Sequence, residues 1–254
     1  ALPVMACTGI SATAKDGGYV QARTIEWGDS YLPSQYVVIP CGHEMISYTP
    51  KGMNGAKFRA RYGVVGLSIV LKDFVVEGLN EAGLSAGLFY FPHYGNYPVY
   101  DAKQNTRTVA DLQLVAWMLS QFSTIEEIKA AMQDIRVVPV DTTGASSTVH
   151  WRIGDANGRQ VVLEFVDGVP CFYENEISVL TNSPGFPWQM TNLNNYVNLY
   201  PGGAEAHQLG GVTIFPFGAG SGFQGIPGDV TPPSRFVRAA FYKATAPQCA
   251  TAYD

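Results

Sequence analysis

Cys7 is the residue whose type and position could do covalent chemistry with the least help. A thiolate attacks a carbonyl readily, but it needs a base to form, donors for the resulting oxyanion and a proton for the leaving group. His43, His93, His150 and His207 could each act as base, yet none stands in a recognisable Cys/His signature. Removal of the six residues before Cys7 would solve the problem differently. The freed α-amine, with an ordinary pKa of about 8, could take the thiol proton directly or through a water. One residue would then supply both nucleophile and base. The segment Ala1-Leu2-Pro3-Val4-Met5-Ala6 is small and apolar and ends in a Val-x-Ala step of the kind signal peptidase accepts. Residues 1–6 therefore read as a leader remnant cut between Ala6 and Cys7, which implies a periplasmic or secreted bacterial protein; an inert N-terminal extension is the plainer alternative.

The rest of the composition narrows the classes. Cys41, Cys171 and Cys249 join Cys7 in no C-x-x-C or Cys/His spacing, and four cysteines are too few for a disulfide-built scaffold of 254 residues. Cys41-Gly42-His43-Glu44 sets two soft ligands too close together for zinc and reads as a loop, so neither a metal nor another cofactor is called for. Net charge is -5, with 16 Lys+Arg and 21 Asp+Glu scattered along the chain, which leaves no basic footprint for nucleic acid. No apolar run reaches the roughly twenty residues of a membrane-spanning helix. A small molecule is the expected partner.

The elements that must position Cys7 are mostly strands at first. Tyr19 to Trp27 alternates loosely, Tyr36 to Pro40 is a short β-branched run, and Val64 to Val76 carries another. Asn80-Glu81-Ala82-Gly83 turns a hairpin between Phe74–Leu79 and Leu84–Phe91. Helical spacing begins at Thr108, and Thr124-Ile125-Glu126-Glu127 is a capping box that opens a second helix through about Ile135. Strands return at Ser147–Ile153 and Gln160–Phe165 around Asp155-Ala156-Asn157-Gly158, then at Ile177–Thr181. Pro201 to Pro233 is rich in Gly and Pro and long enough to be a functional loop, and a last helix runs behind Pro232-Pro233 to Thr245. Strands, a helical pair, strands and a helix argue for an α+β domain with antiparallel sheets.

Four blocks give a more specific lead. Cys7-Thr8-Gly9-Ile10, Arg23-Thr24-Ile25-Glu26-Trp27, Thr181-Asn182-Ser183-Pro184, and Pro227-Gly228-Asp229 with Ser234-Arg235-Phe236-Val237-Arg238 occur in one order. In order and spacing they resemble the choloylglycine hydrolase family, which contains bile salt hydrolases and penicillin V acylases. The resemblance implies an N-terminal nucleophile hydrolase: a four-layer α-β-β-α sandwich of two antiparallel sheets, with Cys7 beginning a central strand. It implies Cys7 as nucleophile and Arg23 as the fixed cation beside the thiolate. Glu26 falls where many members have Asp, the carboxylate that orients the α-amine, and its extra methylene changes that geometry. Asn182 is the implied oxyanion donor, and Arg235 completes the polar cluster. A second oxyanion donor falls at Tyr90, in Gly87-Leu88-Phe89-Tyr90, with the register open by one residue. The acyl pocket would be apolar and aromatic, drawing on Met45, Phe91 and Tyr94.

Each of these residues also has a duller reading. Arg23 and Glu26, three apart in a strand, face opposite sides and could be surface charges; Asn182 could be a turn residue, Arg235 and Arg238 a solvated helix face, and His150 structural. What raises them is their joint match. The substrate implied is a linear N-acyl amide, with penicillin V preferred, and conjugated bile salts or N-acyl homoserine lactones as alternatives. A homo-oligomer, often a tetramer among relatives, is expected. Residues 7–254 would form one domain lacking its C-terminal part, because the family continues beyond Asp254 through further strands. Two other classes stay open: a lipid-anchored binding protein acylated at Cys7, and a Cys/His hydrolase using His150 or His93.

Overall fold

The structure, a computed structural model, describes residues 5–27, 32–140 and 148–254. Its strands and helices follow in order: β1 (Met5–Thr13), β2 (Tyr19–Trp27), β3 (Ser34–Ile39), β4 (Glu44–Ile46), β5 (Lys57–Arg59), β6 (Val64–Ile69), β7 (Val75–Asn80), β8 (Ser85–Tyr90) and β9 (Thr108–Ala110). Then come α1 (Leu114–Gln121), α2 (Ile125–Ala131), β10 (Arg136–Val138), β11 (Val149–Gly154), β12 (Gln160–Val166), β13 (Val169–Glu174) and β14 (Val179–Leu180). The chain continues through α3 (Phe186–Asn192), β15 (His207–Leu209), β16 (Val212–Ile214) and α4 (Pro232–Thr245). Residues 1–4 of the expected leader, and Ser147 at the head of the expected strand, lie outside the described residues.

Two antiparallel sheets make the middle of the molecule. The larger runs β13-β12-β11-β8-β7-β6-β3 and the smaller β14-β1-β2. α1 lies on β7 and β8 while α4 lies on β1 and β14, so the layers stack helix, large sheet, small sheet, helix. Each interface has its own core. Leu114, Val115, Met118, Leu119, Ile125 and Ile128 pack with Val75, Leu84, Trp151 and Ile153 on one side of the large sheet. On its other side Phe89 and Val162 meet Cys7, Val179, Leu180 and Phe236.

The two sheets approach most closely where β1 crosses β8. A Cβ on Gly9 would meet the Phe89 ring at 2.5 Å and an Arg152 guanidinium nitrogen at 2.9 Å, so this position accepts only hydrogen. The glycine of the Cys7-Thr8-Gly9 block thereby sets the distance between the strand that carries Cys7 and the sheet beneath it.

Several element boundaries differ from those read in the sequence. The Val64–Val76 run is two strands, β6 and β7, parted by a turn in which Val70 has φ +61°. Thr108–Ala110 is not helical: it pairs in parallel with β10, which also ends the second helix before Ile135. Helical spacing there is overridden by tertiary pairing, and α1 starts only at Leu114. The capping box is present as read, with Glu127 N donating to Thr124 Oγ1 at 3.2 Å and Thr124 N donating to Glu127 Oε2 at 3.2 Å. β13 and α3 carry weak local signals, and β15–β16 form an exposed hairpin inside the Gly/Pro-rich stretch.

Candidate active site

Cys7 is the third residue of β1, not its first, and is 5% exposed. The β1–β2 register pairs Cys7 with Ile25 and Gly9 with Arg23, and paired residues share a face. Cys7 and Arg23 therefore point between the sheets, whereas Thr8 and Glu26, one residue on in each strand, point toward α4.

On that α4 side, the backbone of Cys7 is held by two side chains from distant segments. Its N–H donates to Asn182 Oδ1 at 2.8 Å, and its carbonyl accepts from Arg235 Nη1. The same Arg235 nitrogen donates to Thr8 Oγ1 at 2.6 Å, and Nη2 donates to Asn182 Oδ1 at 2.8 Å. Two donors on one oxygen fix which way the Asn182 amide points, so Nδ2 is the atom that donates to the Tyr90 carbonyl at 2.7 Å. One of the two Nδ2 hydrogens is thereby engaged.

Arg235 is delivered by α4, whose start is tied down by Asp229. That carboxylate accepts from Thr231 N at 2.9 Å and from Ser234 Oγ at 2.6 Å. Ser234 first, and then Thr231, hold it down to about 2. Burial lowers the Arg235 guanidinium below its ordinary value, and the charges of Glu26 and Cys7 oppose that shift. The guanidinium keeps its charge. Glu26 is exposed, pairs in register with Ala6, and makes no side-chain hydrogen bond among the described residues. Its reach to this cluster is electrostatic.

Between the sheets, Arg23 is almost buried and belongs to a cluster absent from the sequence reading. Its Nη1 donates to the carbonyls of Leu88 at 2.6 Å and Val76 at 3.2 Å, and lies 3.4 Å from Glu77 Oε2. Glu77 Oε1 in turn accepts from Arg152 Nη2 at 3.0 Å, while Arg152 Nη1 donates to the Ile10 carbonyl at 2.9 Å. The Phe89 ring sits under both guanidiniums, 4.2 Å from Arg23 and 5.6 Å from Arg152. Two guanidiniums against one carboxylate leave a net positive charge beneath Cys7.

Cys7, Arg23 and Tyr90 open onto a cavity of about 330 Å³. Its other walls are largely aliphatic: Ile25, Leu32, Ile69, Val70, Val76, Leu88, Leu112, Val140 and Val149, with Phe74 and one carboxyl, Asp111. This corrects the expected pocket. Met45 packs in the core under α1. Phe91 is 1% exposed and stacks on the His150 ring at 4.3 Å, and Tyr94 is turned to solvent. The period of two explains Phe91, since Leu88 and Tyr90 take the cavity face of β8 and leave Phe89 and Phe91 on the His150 face.

The competing readings lose their footing. His150 is buried with Nδ1 3.0 Å from Glu164 Oε1 and Nε2 3.1 Å from the Thr181 carbonyl, so both ring nitrogens are occupied; His93 is exposed, and neither lines the Cys7 cavity. A lipid on Cys7 would have to fit between two packed sheets. Glu77, Arg152 and Asp111 were missed because a single charge in a strand or turn gives no sign of which face it takes.

Two antiparallel sheets between helical layers, with a cysteine early on an inner strand, define the N-terminal nucleophile hydrolase fold. The chain belongs to the choloylglycine hydrolase family: the family model for linear amide C–N hydrolases matches residues 7–253. It is 32% identical to the bile salt hydrolase/transferase of Clostridium perfringens over 241 residues, covering 93% of this chain and 71% of that protein. The crystal structure of a conjugated bile acid hydrolase mutant from the same organism superposes with a TM-score of 0.81 at 30% identity, covering 94% of this chain and 72% of that one. Penicillin V acylase from Agrobacterium tumefaciens superposes with a TM-score of 0.74 at 26% identity, covering 95% and 66%. The protein is an enzyme that hydrolyses linear amides.

Proposed function

We propose that the enzyme deconjugates bile salts, with Cys7 as nucleophile once the Ala6–Cys7 bond has been cut. The observation that carries the chemistry is the pair of bonds on Asn182 Oδ1, from Cys7 N and from Arg235, beside a cavity that Cys7 shares with Arg23. The freed amine would stay beside Asn182, with Glu26 across the strand pair. It takes the thiol proton, and sulfur attacks the amide carbon. The second Asn182 Nδ2 hydrogen and a donor at Tyr90 receive the oxyanion. The C–N bond then breaks, the amine leaves with the proton, and water releases the acid from the thioester and restores the thiol.

The preference for penicillin V drawn from the sequence gives way to its alternative. Greater likeness to bile salt hydrolases supports the change, and so does the lining. Nine branched aliphatic side chains together with Pro139 suit a bulky alicyclic acyl group better than a planar aryl one. Parallel kcat/KM measurements on glycocholate and penicillin V test this, with glycocholate expected to be the better substrate by tenfold or more. A preference for penicillin V would overturn it.

A further inference from the structure

Asp111 is out of keeping with the cavity it lines. It is 3% exposed, sits directly before Leu112 in the turn that leads into α1, and faces the same space as Cys7 among walls that are otherwise mostly aliphatic. Its Oδ1 accepts from Leu112 N at 2.8 Å and from Val140 N at 3.2 Å. The Tyr97 hydroxyl, itself accepting from Val149 N at 2.9 Å, lies within hydrogen-bonding reach of the carboxyl. The Leu112 and Val140 bonds both fall on Oδ1, and Asp111's own N–H is a third backbone donor to the carboxyl. When protonated, the carboxyl adds an O–H of its own to offer.

A carboxyl in such a wall is costly unless something polar meets it, and a purely aliphatic acyl group offers nothing. We propose that Asp111 is a specificity-determining residue: its carboxyl hydrogen-bonds a hydroxyl carried on the acyl part of the substrate. This rests on the amide-hydrolase reading of the cavity and adds to it the chemical character of the acyl group. A site built around a substrate hydroxyl rejects the analogue without it, because the buried polar group is then left unpaired. The environment also makes the interaction sensitive to pH. Burial pushes Asp111 up to about 7, against the backbone donors that pull it down. Below that point the carboxyl is neutral and can donate as well as accept, and it costs little when an apolar acyl group covers it. Above that point it is an anion that only accepts. Discrimination in favour of hydroxylated acyl groups rises with pH through neutrality.

The test uses two glycine amides that differ only in hydroxylation, glycocholate and the glycine amide of unsubstituted cholanic acid. In wild type the kcat/KM ratio, hydroxylated over unhydroxylated, is expected to rise between pH 6 and pH 8. Asp111→Leu is expected to lower that ratio about tenfold or more, chiefly by loss on glycocholate. Asp111→Asn keeps an acceptor for Leu112 N and Val140 N, and is expected to keep the preference while losing its dependence on pH. Should Asp111→Leu fail to fold, the flat profile of Asp111→Asn carries the test. Calorimetric binding of the two free acids to wild type and Asp111→Asn reads the same discrimination without turnover. Equal losses on both substrates, an unchanged pH profile in Asp111→Asn, or no preference between the acids overturns the inference. Failure to hydrolyse either amide while the acids are discriminated would instead defeat the functional reading alone.

Discussion

At the scale of single residues, the site gathers Arg23 from β2, Asn182 from just beyond β14 and Arg235 from α4 around Cys7. Asn182 holds Arg235 and Cys7 N through Oδ1 and the Tyr90 carbonyl through Nδ2, and in the proposed mechanism its second Nδ2 hydrogen would meet the oxyanion. Replacing Asn182 by Ala is expected to lower kcat by about 10²–10³-fold, the usual cost of an oxyanion donor, and steady-state kinetics read it. A loss under threefold would remove Asn182 from that role. Asp111 carries a stability consequence of its own. Its folded value of about 7 lies above the ordinary value of 3.8, so the folded state holds the proton more tightly than the unfolded chain. Stability therefore falls as pH rises from about 4 to about 7, by at most of the order of 4 kcal/mol. Denaturant titrations should show that slope in wild type and a shallower one in Asp111→Asn. Cys7, Arg23, Asn182 and Arg235 were legible because each lies inside a short block of fixed order. Met45, Phe91 and Tyr94 were misplaced because a pocket lining depends on which face of which strand survives packing. No run of neighbouring residues states that.

At the scale of elements, local chemistry and tertiary pairing divide the control. Thr124 and Glu127 satisfy each other's backbone donors, so the start of α2 could be read directly. Thr124→Ala is expected to cost about 1 kcal/mol in chemical denaturation and to leave turnover unchanged. A fall in kcat would mean that α2 reaches the site. Asp229 does for α4 what Thr124 does for α2, but from outside the helix and with a functional consequence, since α4 carries Arg235. Its depressed carboxyl contributes stability above its ordinary range near 3.8, and that contribution is lost as pH falls through about 2. Asp229→Asn is thus expected to be less stable than wild type at pH 6, with the gap closing in acid. A gap that widens in acid would contradict this. The β9–β10 pair shows the opposite case. Thr108–Ala110 has helical spacing but forms a parallel ladder with Arg136–Val138, a partner 28 residues away by register that no local window contains.

At the scale of the whole molecule, the sheets are joined by a charged cluster as well as by apolar packing. Arg23 rises from the small sheet, Glu77 and Arg152 belong to the large one, and Phe89 lies under both guanidiniums. Removing the carboxylate would leave two buried cations unpaired. Glu77→Ala is expected to cost about 3 kcal/mol or more in denaturant titrations, and a cost below 1 kcal/mol would show that solvent already screens the cluster. The α+β class was legible from the succession of strands and helices, and the four layers from the family blocks. The crossing of β1 over β8, and the charges it traps, belong to contacts between segments some 65 to 142 residues apart. The most direct test of the whole reading is mass spectrometry of the N-terminal peptide from enzyme quenched during turnover of an amide substrate. An acyl thioester on a Cys7 that begins the chain is the expected result. Full turnover in protein whose Cys7 is still bonded to Ala6 would contradict it.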